Sequence, residues 1–496
     1  MAISFSQIPS GIRVPLFYAE VDASMANSGS NNLKTLLIGQ MLTSGVAQTG
    51  KPVLVSGDSQ GKELFGRGSV LARMNSAYRK NDTYGEVWAI PVSDADAAQK
   101  ASCTVTVTGT ATAAGSVFLY IGGDRVTVNV AIDDTATNVA KALNAAINAK
   151  LDLPVTANTS EETGIVTLEA KNGGLIGNDI RVAVNINGYA SGEVLPEGIQ
   201  VEISAMSGGS GTPELAEVIK AMGNEEYDFI VMPYCDTASL DVFKEAMNDK
   251  TGRWSPMMQL YGHVYTAMRG DVSDLQSFGS ARNDQHATVL GVETTVPNLT
   301  CEVLSAFAAQ CATAIANDPA RPLQTLELIG ITAAPEGERF TLNEKQTLLT
   351  NGIATTYVGG GYVRIERAIT TYQRNALDDE DTSYLDSETL HTLAYILRDL
   401  KSIITTKYPR HKLASDGTRY GPGQAIVTPS VIRGELIAQY QKLETLGIVE
   451  NADLFAKNLI VERDTNDVSR LNVLLPPDLV NGLRIFAVLA QFRLNY

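Results

Sequence analysis

The spacing of apolar positions predicts strands and helices over most of the chain. Residues 35–38 and 87–92 form short apolar runs typical of buried strands, and a helix-like stretch extends from about residue 62 to 80. In the middle of the chain, helix patterns alternate with strand patterns such as 227–232 and 286–291. This succession indicates a mostly parallel sheet with helices on its faces.

Residues 99–206 have a different pattern, in which apolar and polar residues alternate strictly. Val126, Val128 and Val130, for example, are separated by polar residues. A period of two predicts half-buried antiparallel strands. The stretch ends at residues 207–213, whose glycines and serines are typical of a flexible linker. We therefore predict a separate β-rich domain inserted into a loop of another domain.

The last third of the chain combines helices and strands. A long helix is predicted after Asp386, a residue type that suits an N-cap, because leucines follow it at helical spacing. Three strand-like runs come later, at 458–463, 470–475 and 483–495. Together, the patterns predict a multidomain chain of the α/β and α+β classes, with a mixed-sheet core built from both ends of the chain.

Composition narrows the classes of function. The 496 residues carry a net charge of -16, whereas a protein that coats phosphate backbones would be basic, so general nucleic-acid binding is not expected. The chain has no apolar run of about 18 residues and no export signal at its N-terminus, so we expect neither a transmembrane helix nor secretion. The four cysteines form no C-x-x-C pair, which fits a reducing cytoplasm.

Short motifs that suggest chemistry also have simpler interpretations. Gly57-Asp-Ser-Gln-Gly61 matches the G-x-S-x-G of serine hydrolases, but no oxyanion-loop motif precedes it and none of the histidines has a distinctive context. The overlapping stretch that ends at Lys62 lacks the first glycine and the metal-binding hydroxyl of a phosphate loop. The acidic stretch 378–381 lacks the spacing of a calcium loop. We predict no catalytic, metal-binding or cofactor-binding residue, and a hydrolase using Ser59 remains the enzymatic alternative.

The final strand-like run is apolar on both faces. Phe486, Val488, Phe492 and Leu494 form one row, and the residues on the other face are largely apolar as well. Such a strand must be covered on both sides. It is either a central strand of the chain's own sheet, which the sequence alone favours, or a strand donated to a neighbouring subunit. In a donated strand, backbone hydrogen bonds supply affinity and alternate side chains set the register.

Eight short motifs are informative through their order and spacing. They are residues 8–15 (IPSGIRVP), 64–69 (LFGRGS), 71–74 (LARM), 369–373 (ITTYQ), 381–386 (DTSYLD), 409–414 (PRHKLA), 417–423 (GTRYGPG) and 477–480 (PDLV). Each motif is unspecific alone, but in this arrangement they resemble the contractile tail sheath proteins of myophages, most closely the Mu-like type. The resemblance covers nearly the full chain.

The resemblance implies a structural protein without catalysis or cofactors. It would form stacked rings around a tail tube in a metastable extended state, then contract to drive the tube through the host envelope for genome delivery. The implied partners are copies of itself, the tail tube protein, and baseplate and tail terminator proteins, with no nucleic acid and no membrane insertion. The implied location is the virion tail, after assembly in the host cytoplasm. A sheath of a non-viral contractile machine, such as a bacteriocin or secretion system, is the nearest alternative.

The resemblance also assigns roles to parts of the chain, with terminal arms that add strands to neighbouring subunits. The implied arm contacts are Ile12, Val14, Leu16, Tyr18, Phe486, Val488, Phe492 and Leu494. The expected divisions are an N-terminal arm (1–30), a core in two parts (31–98 and 207–330), an inserted surface domain (99–206), a tube-proximal C-terminal core domain (331–482) and a C-terminal arm strand (483–496).

Positive charge is concentrated in the last third of the chain. Residues 331–496 hold 18 of the 39 lysines and arginines. Lys407, Arg410 and Lys412 lie close together there, and we predict that they face an acidic tail tube through ion pairs that salt screens. The alternative is a solvated helix end, where cations suit the helix dipole.

Overall fold

The computed structural model describes residues 33–160 and 163–494. The N-terminal arm contacts Ile12, Val14, Leu16 and Tyr18 therefore lie outside the described residues. Within the described part, none of the helices is both long and apolar enough to cross a bilayer.

The described residues form nineteen strands and eleven α-helices. The strands are β1 (Lys34–Gln40), β2 (Val53–Leu54), β3 (Glu86–Val92), β4 (Ser102–Gly109), β5 (Gly115–Ile121), β6 (Asp124–Val130), β7 (Val155–Thr159), β8 (Ile165–Ala170), β9 (Val182–Val184), β10 (Ile199–Ile203), β11 (Phe229–Val231), β12 (His263–Arg269), β13 (Ala287–Val292), β14 (Ile353–Gly359), β15 (Tyr362–Arg367), β16 (Lys412–Leu413), β17 (Ile426–Val427), β18 (Ile460–Arg463) and β19 (Leu471–Leu474). The helices are α1 (Asp58–Phe65), α2 (Val70–Asn81), α3 (Ala136–Ala149), α4 (Ala216–Met222), α5 (Thr237–Met247), α6 (Val272–Ser280), α7 (Thr300–Asn317), α8 (Leu342–Thr350), α9 (Ser387–Lys407), α10 (Pro429–Thr445) and α11 (Ala452–Asn458).

Eight strands form one large mixed sheet, in the order β15-β14-β13-β12-β11-β1-β3-β2. The six central strands run parallel, and the edge strands β15 and β2 are antiparallel to their neighbours. Because β1 lies between β3 and β11, strands from before and after residues 99–206 meet in the middle of the sheet. This arrangement confirms the predicted mixed-sheet core.

The central strand β1 is buried on both faces of the sheet. Leu37 points to the side covered by α2 and α7, whereas Leu36 and Ile38 point to the side covered by α4 and α5. All three side chains are fully buried. A strand covered on both sides has a continuous apolar sequence, which is why the short run at 35–38 predicts it correctly.

The stretch predicted as one helix from about 62 to 80 is two helices, α1 and α2. Gly66 and Gly68 lie between them with φ angles of 82° and 84°, a conformation that glycine adopts without strain. Ser69 then begins α2, because its hydroxyl accepts a hydrogen bond from the Ala72 N–H at 3.1 Å. Apolar residues continue on both sides of the break, so the hydrophobic pattern alone does not reveal it.

The strands β4 to β10 form two antiparallel sheets, of four and three strands, with α3 packed against them. In β6, every second residue from Val126 to Val130 is buried, as the period-two pattern predicts. This region also contacts the helices that cover the large sheet. Asp124, the first residue of β6, pairs at 2.8 Å with Arg73 of α2, which also pairs with Glu302 of α7 at 2.7 Å. The limits of the predicted inserted domain stay predictions.

The large sheet continues beyond residue 331, the expected start of the C-terminal domain, because β14 and β15 form its edge hairpin. α9 then begins after Asp386, as predicted. Its first half packs on the large sheet, where the His391 ring lies 4.8 Å from the Phe229 ring. Its second half joins a separate hydrophobic cluster formed with α10, α11 and the residues after them. The expected domain limits stay predictions here as well.

Three of the four histidines are buried in the core, namely His263, His286 and His391. The His391 Nε2 atom lies 3.0 Å from the Tyr265 hydroxyl, and its ring stacks on Phe229. Burial lowers the pKa of His391 to about 3, and burial also lowers the pKa of His263 well below its ordinary value. The His263 and His391 rings are therefore neutral packing elements in the folded protein at pH 7.

Replacing His391 by glutamine is expected to flatten the pH dependence of unfolding. The wild-type histidine stays neutral in the folded protein but takes up a proton in the unfolded chain below about pH 6.5. Its contribution to the free energy of unfolding therefore falls by up to about 1.4 kcal/mol per pH unit as the pH drops from about 6.5 towards 3. Denaturant unfolding followed by the fluorescence of Trp88 and Trp254 measures this slope. The control is His411→Gln at an exposed position, and equal slopes for the two variants would contradict the prediction.

Candidate assembly interface

Residues 483–494, which we call the terminal segment, have no regular secondary structure and pair with no strand of the described chain. The predicted apolar row is open to solvent: Phe486 and Phe492 are each 82% exposed, Val488 is 68% exposed and Leu494 is 88% exposed. The interpretation of this run as a central strand of the chain's own sheet is therefore wrong, because none of the eight strands of the large sheet lies in it. Exposed apolar rows are typical of interaction sites.

The terminal segment is held to the rest of the subunit only at its first two residues, within the part of the chain that the structure describes. The Leu483 carbonyl accepts a hydrogen bond from Gln324 Nε2 at 3.3 Å. The Arg484 guanidinium pairs with the Asp386 carboxylate at 3.3 Å and with Glu388. The apolar row that follows has no hydrogen bond of this kind, so its side chains and backbone are available to a partner.

Asp386 has a different role from the one its position suggests. It occupies the N-cap of α9, but its side chain makes no capping hydrogen bond. Instead, Arg367 of β15 donates to its two carboxylate oxygens at 2.8 and 2.9 Å, and Arg484 lies 3.3 Å from Oδ1. The sequence alone does not reveal this ion cluster, because residues so far apart along the chain leave no periodic signal.

A second open surface is the hairpin of β18 and β19. These strands pair antiparallel, with Val461 opposite Val473, and form a sheet of only two strands. α10 packs against β18, whereas Ile460 and Leu474 are exposed. Both outer edges of the hairpin are unpaired among residues 33–160 and 163–494. Two strands alone are marginally stable, and an open edge is a template for another strand.

The three predicted tube-contact residues lie at the end of α9 and just beyond it. Lys407 is the last residue of the helix and pairs with Glu435 of α10. Lys412 Nζ lies 3.2 Å from Gln424 Oε1, and Arg410 is exposed. The local fold therefore places all three on one exposed region, but the charge of Lys407 is already balanced within the subunit.

The motifs that suggested chemistry occupy structural positions. Ser59 is exposed in the first turn of α1, and no hydrogen bond joins it to a histidine in the described chain. Lys62, at the position of a phosphate-loop lysine, pairs with Asp58 at 2.8 Å. Asp381, in the acidic stretch, accepts a hydrogen bond from Ser383 at 2.6 Å. No group of three or more His, Cys, Asp or Glu side chains is arranged to hold a metal ion in the described part.

Sequence comparison identifies the class of protein. Residues 208–371 match the phage tail sheath protein central domain, and residues 379–493 match the phage tail sheath C-terminal domain. The chain belongs to the phage tail sheath family, a family of structural proteins of the virion tail, which confirms the resemblance of its motifs. Over 495 residues it is 41% identical to the Mu-like prophage FluMu tail sheath protein of Haemophilus influenzae, and the alignment covers 99% of this chain and 100% of that protein.

Solved structures similar to this chain include two sheath tail proteins, from Desulfitobacterium hafniense and Listeria innocua. Each is 13% identical to this chain, with a TM-score of 0.48. The first alignment covers 95% of this chain and 97% of the other, and the second covers 90% and 92%. A chain of the anti-feeding prophage baseplate in its contracted state is 11% identical, with a TM-score of 0.48, and the alignment covers 99% of this chain and 100% of that one.

Proposed function

We propose that the chain polymerises by adding its terminal segment, as a strand, to the β18–β19 hairpin of a neighbouring subunit. The observation that supports this most directly is the exposed apolar row from Phe486 to Leu494, in a segment that pairs with no strand among residues 33–160 and 163–494. The hairpin offers a complementary surface, with open edges and exposed apolar residues. Its strands are four residues long, so the segment is long enough to pair along a whole edge.

This mode of pairing makes a particular kind of polymer. The donor surface is the terminal segment and the acceptor surface is the hairpin, so each contact joins two different patches. Such head-to-tail contacts generate rings when the rotation between subunits closes, and helical filaments when it does not. Stacked rings or a hollow helical tube are therefore the expected products.

We propose further that this polymer surrounds a tail tube, with baseplate and tail terminator proteins at its ends. It would assemble in the host cytoplasm in an extended state and later contract to drive the tube through the host envelope. A strand that is covalently continuous with one subunit and hydrogen-bonded to the next suits this function. It keeps neighbours linked while the subunit bodies rotate as rigid units between two packings.

The proposal is tested by negative-stain electron microscopy of the purified full-length chain. Hollow tubes or stacked rings are expected above a critical concentration, because donor and acceptor surfaces are present on every subunit. Sedimentation velocity at increasing concentration provides an independent measurement of the same assembly. Particles that remain monomeric at every concentration, in the presence and absence of tail tubes, would refute polymerisation.

The contact with the tail tube is proposed to involve the basic residues Lys407, Arg410 and Lys412. The double variant Arg410→Glu/Lys412→Glu is the sharper test, because Lys407 is paired with Glu435 and its reversal would also disturb the subunit. We expect tube-free polymers to form normally but the sheathing of purified tail tubes to be lost. Each exposed pair is worth only about 0–1 kcal/mol, but the contact is repeated on every subunit.

The matched control for the tube contact is Lys51→Glu/Lys250→Glu, which reverses two exposed lysines elsewhere on the subunit. The amount of sheathed tube is measured by microscopy and by co-sedimentation between low and high salt. Wild-type sheathing is expected to weaken as salt rises, because screening shortens the range of exposed charges. Unchanged sheathing and unchanged salt dependence in the Arg410/Lys412 variant would favour the alternative, a solvated helix end.

A further inference from the structure

Four charged side chains meet where the terminal segment leaves the subunit. This root cluster consists of Arg367, Asp386, Glu388 and Arg484, two cations and two anions. The Glu388 side chain is only 8% exposed and that of Arg484 15%, although the residues that follow Arg484 are open to solvent. An arginine so enclosed at the base of an exposed segment fixes the position of the backbone that carries it.

The chain that leads to the root cluster is also held in place. The Asp478 N–H donates to the Tyr440 hydroxyl of α10 at 3.0 Å, which ties the backbone to the C-terminal hydrophobic cluster. Gly482 passes so close to Pro322 that a Cβ atom there would lie 2.5 Å from the proline ring. Residues 478–484 therefore run from the C-terminal cluster to the start of α9, with contacts at both ends.

We propose that Arg484 is a positioning residue for assembly, and that the root cluster is the anchor that aims the terminal segment at its neighbour. The inference rests on the proposed function, since it assumes that the segment pairs with another subunit. The pivot between subunits then begins at Ile485, one residue beyond the anchor. Everything before it moves with α9 and the subunit body.

The root cluster helps assembly because it fixes the direction in which the terminal segment leaves the subunit. A flexible segment with a loose base samples many directions, and this lowers its effective concentration at the hairpin of the next subunit. A fixed base restricts the search and gives each subunit the same exit point, which a regular helical polymer requires. The anchor also directs tension into α9, whose two halves pack on the large sheet and on the C-terminal cluster.

The cluster allows a test that leaves the strand-forming residues untouched. Glu388→Gln/Arg484→Gln removes one positive and one negative charge together, so that no buried charge is left alone at that pair. The control is Glu217→Gln/Lys220→Gln, which removes an exposed ion pair, again one positive and one negative charge, elsewhere on the subunit. In the full-length monomer, the Val480 N–H donates to the Ile448 carbonyl at 3.3 Å, and this amide is expected to exchange about tenfold faster in the double variant than in the control, because the anchored stretch opens more often.

The polymers of the same variants give the second readout. The double variant is expected to polymerise, but at a critical concentration about tenfold higher and with a wider spread of helical rise and twist. Arg484→Lys, which keeps the charge, is expected to restore most of the wild-type behaviour. A role in subunit stability alone would shift the unfolding midpoint and leave the rise and twist of the polymers unchanged.

Identical critical concentrations and helical parameters in the double variant and the Glu217→Gln/Lys220→Gln control would overturn the inference. Unchanged exchange of the Val480 amide would overturn it as well. These outcomes differ from failure of the proposed function, in which the wild-type chain itself forms no polymer. In that case the exchange experiment would still decide whether the cluster anchors the segment.

Discussion

A chain that ends at Arg484 is expected to fold as a monomer and to form no tubes. It keeps the large sheet, the C-terminal hydrophobic cluster and the root cluster, but it loses the exposed row from Phe486 to Leu494. Burying four such side chains in a neighbour contributes up to about 6–12 kcal/mol, and a loss of only 4 kcal/mol weakens association about a thousandfold. Circular dichroism checks that the monomer is folded, and sedimentation with microscopy checks for assembly.

Point variants separate the loss of the apolar row from the loss of chain length. Phe486→Asp/Phe492→Asp keeps all 496 residues but places two charges in the proposed interface, so assembly is expected to fail as it does in the truncated chain. Met257→Asp/Leu377→Asp is the matched control, because both side chains are strongly exposed in other parts of the subunit. Normal tubes from the truncated chain would show that strand donation by this segment is not required.

The elements that the sequence predicts well are those in which one local pattern decides the structure. β1 is buried on both faces, so its apolar run identifies it without knowledge of its partners. β6 alternates buried and exposed residues, so its period of two is sufficient. The start of α9 is marked by the residue types around Asp386 and by the leucines that follow. The order of the motifs along the chain indicates the protein family, which no single helix or strand reveals.

The elements that the sequence does not predict depend on partners far away in the chain. An apolar pattern on both faces is the same whether a strand is covered by its own sheet or by a neighbour, so the pattern of the terminal segment could not decide between them. The root cluster joins Arg484 to β15 and to the start of α9, about a hundred residues earlier in the chain. Ion pairs at such separations have no period, and only the folded chain brings the partners together.

Replacing Arg398 by methionine is expected to cause a large loss of stability, because this residue docks α9 on the large sheet. Its Nη2 atom lies 2.5 Å from Asp228 Oδ1 and 2.7 Å from Glu226 Oε1. Asp228 is almost fully buried, and its other carboxylate oxygen accepts a hydrogen bond from the Lys34 N–H at 2.8 Å. Removing one partner of a buried pair costs about 3–5 kcal/mol, since a charge is left without compensation. Denaturant unfolding followed by tryptophan fluorescence measures the loss.

The pH dependence of the stability loss in Arg398→Met identifies its cause. Burial raises the pKa of Asp228, while Arg398 opposes that rise, so the pKa is expected to increase further in Arg398→Met. A carboxyl group whose pKa is higher in the folded than in the unfolded chain stabilises less as the pH rises above about 4. The loss of unfolding free energy in Arg398→Met is therefore expected to be small near pH 4 and to grow towards pH 7.

The double variant Asp228→Asn/Arg398→Met removes the buried charge together with its partner. It is expected to recover about 1–3 kcal/mol of the loss at pH 7, because an amide costs less to bury than an unpaired carboxylate. The pH-dependent part of the deficit should disappear with it, since position 228 no longer titrates. A loss below about 1 kcal/mol in Arg398→Met, independent of pH, would mean that the pair behaves like an exposed one and that apolar packing alone docks α9 on the sheet.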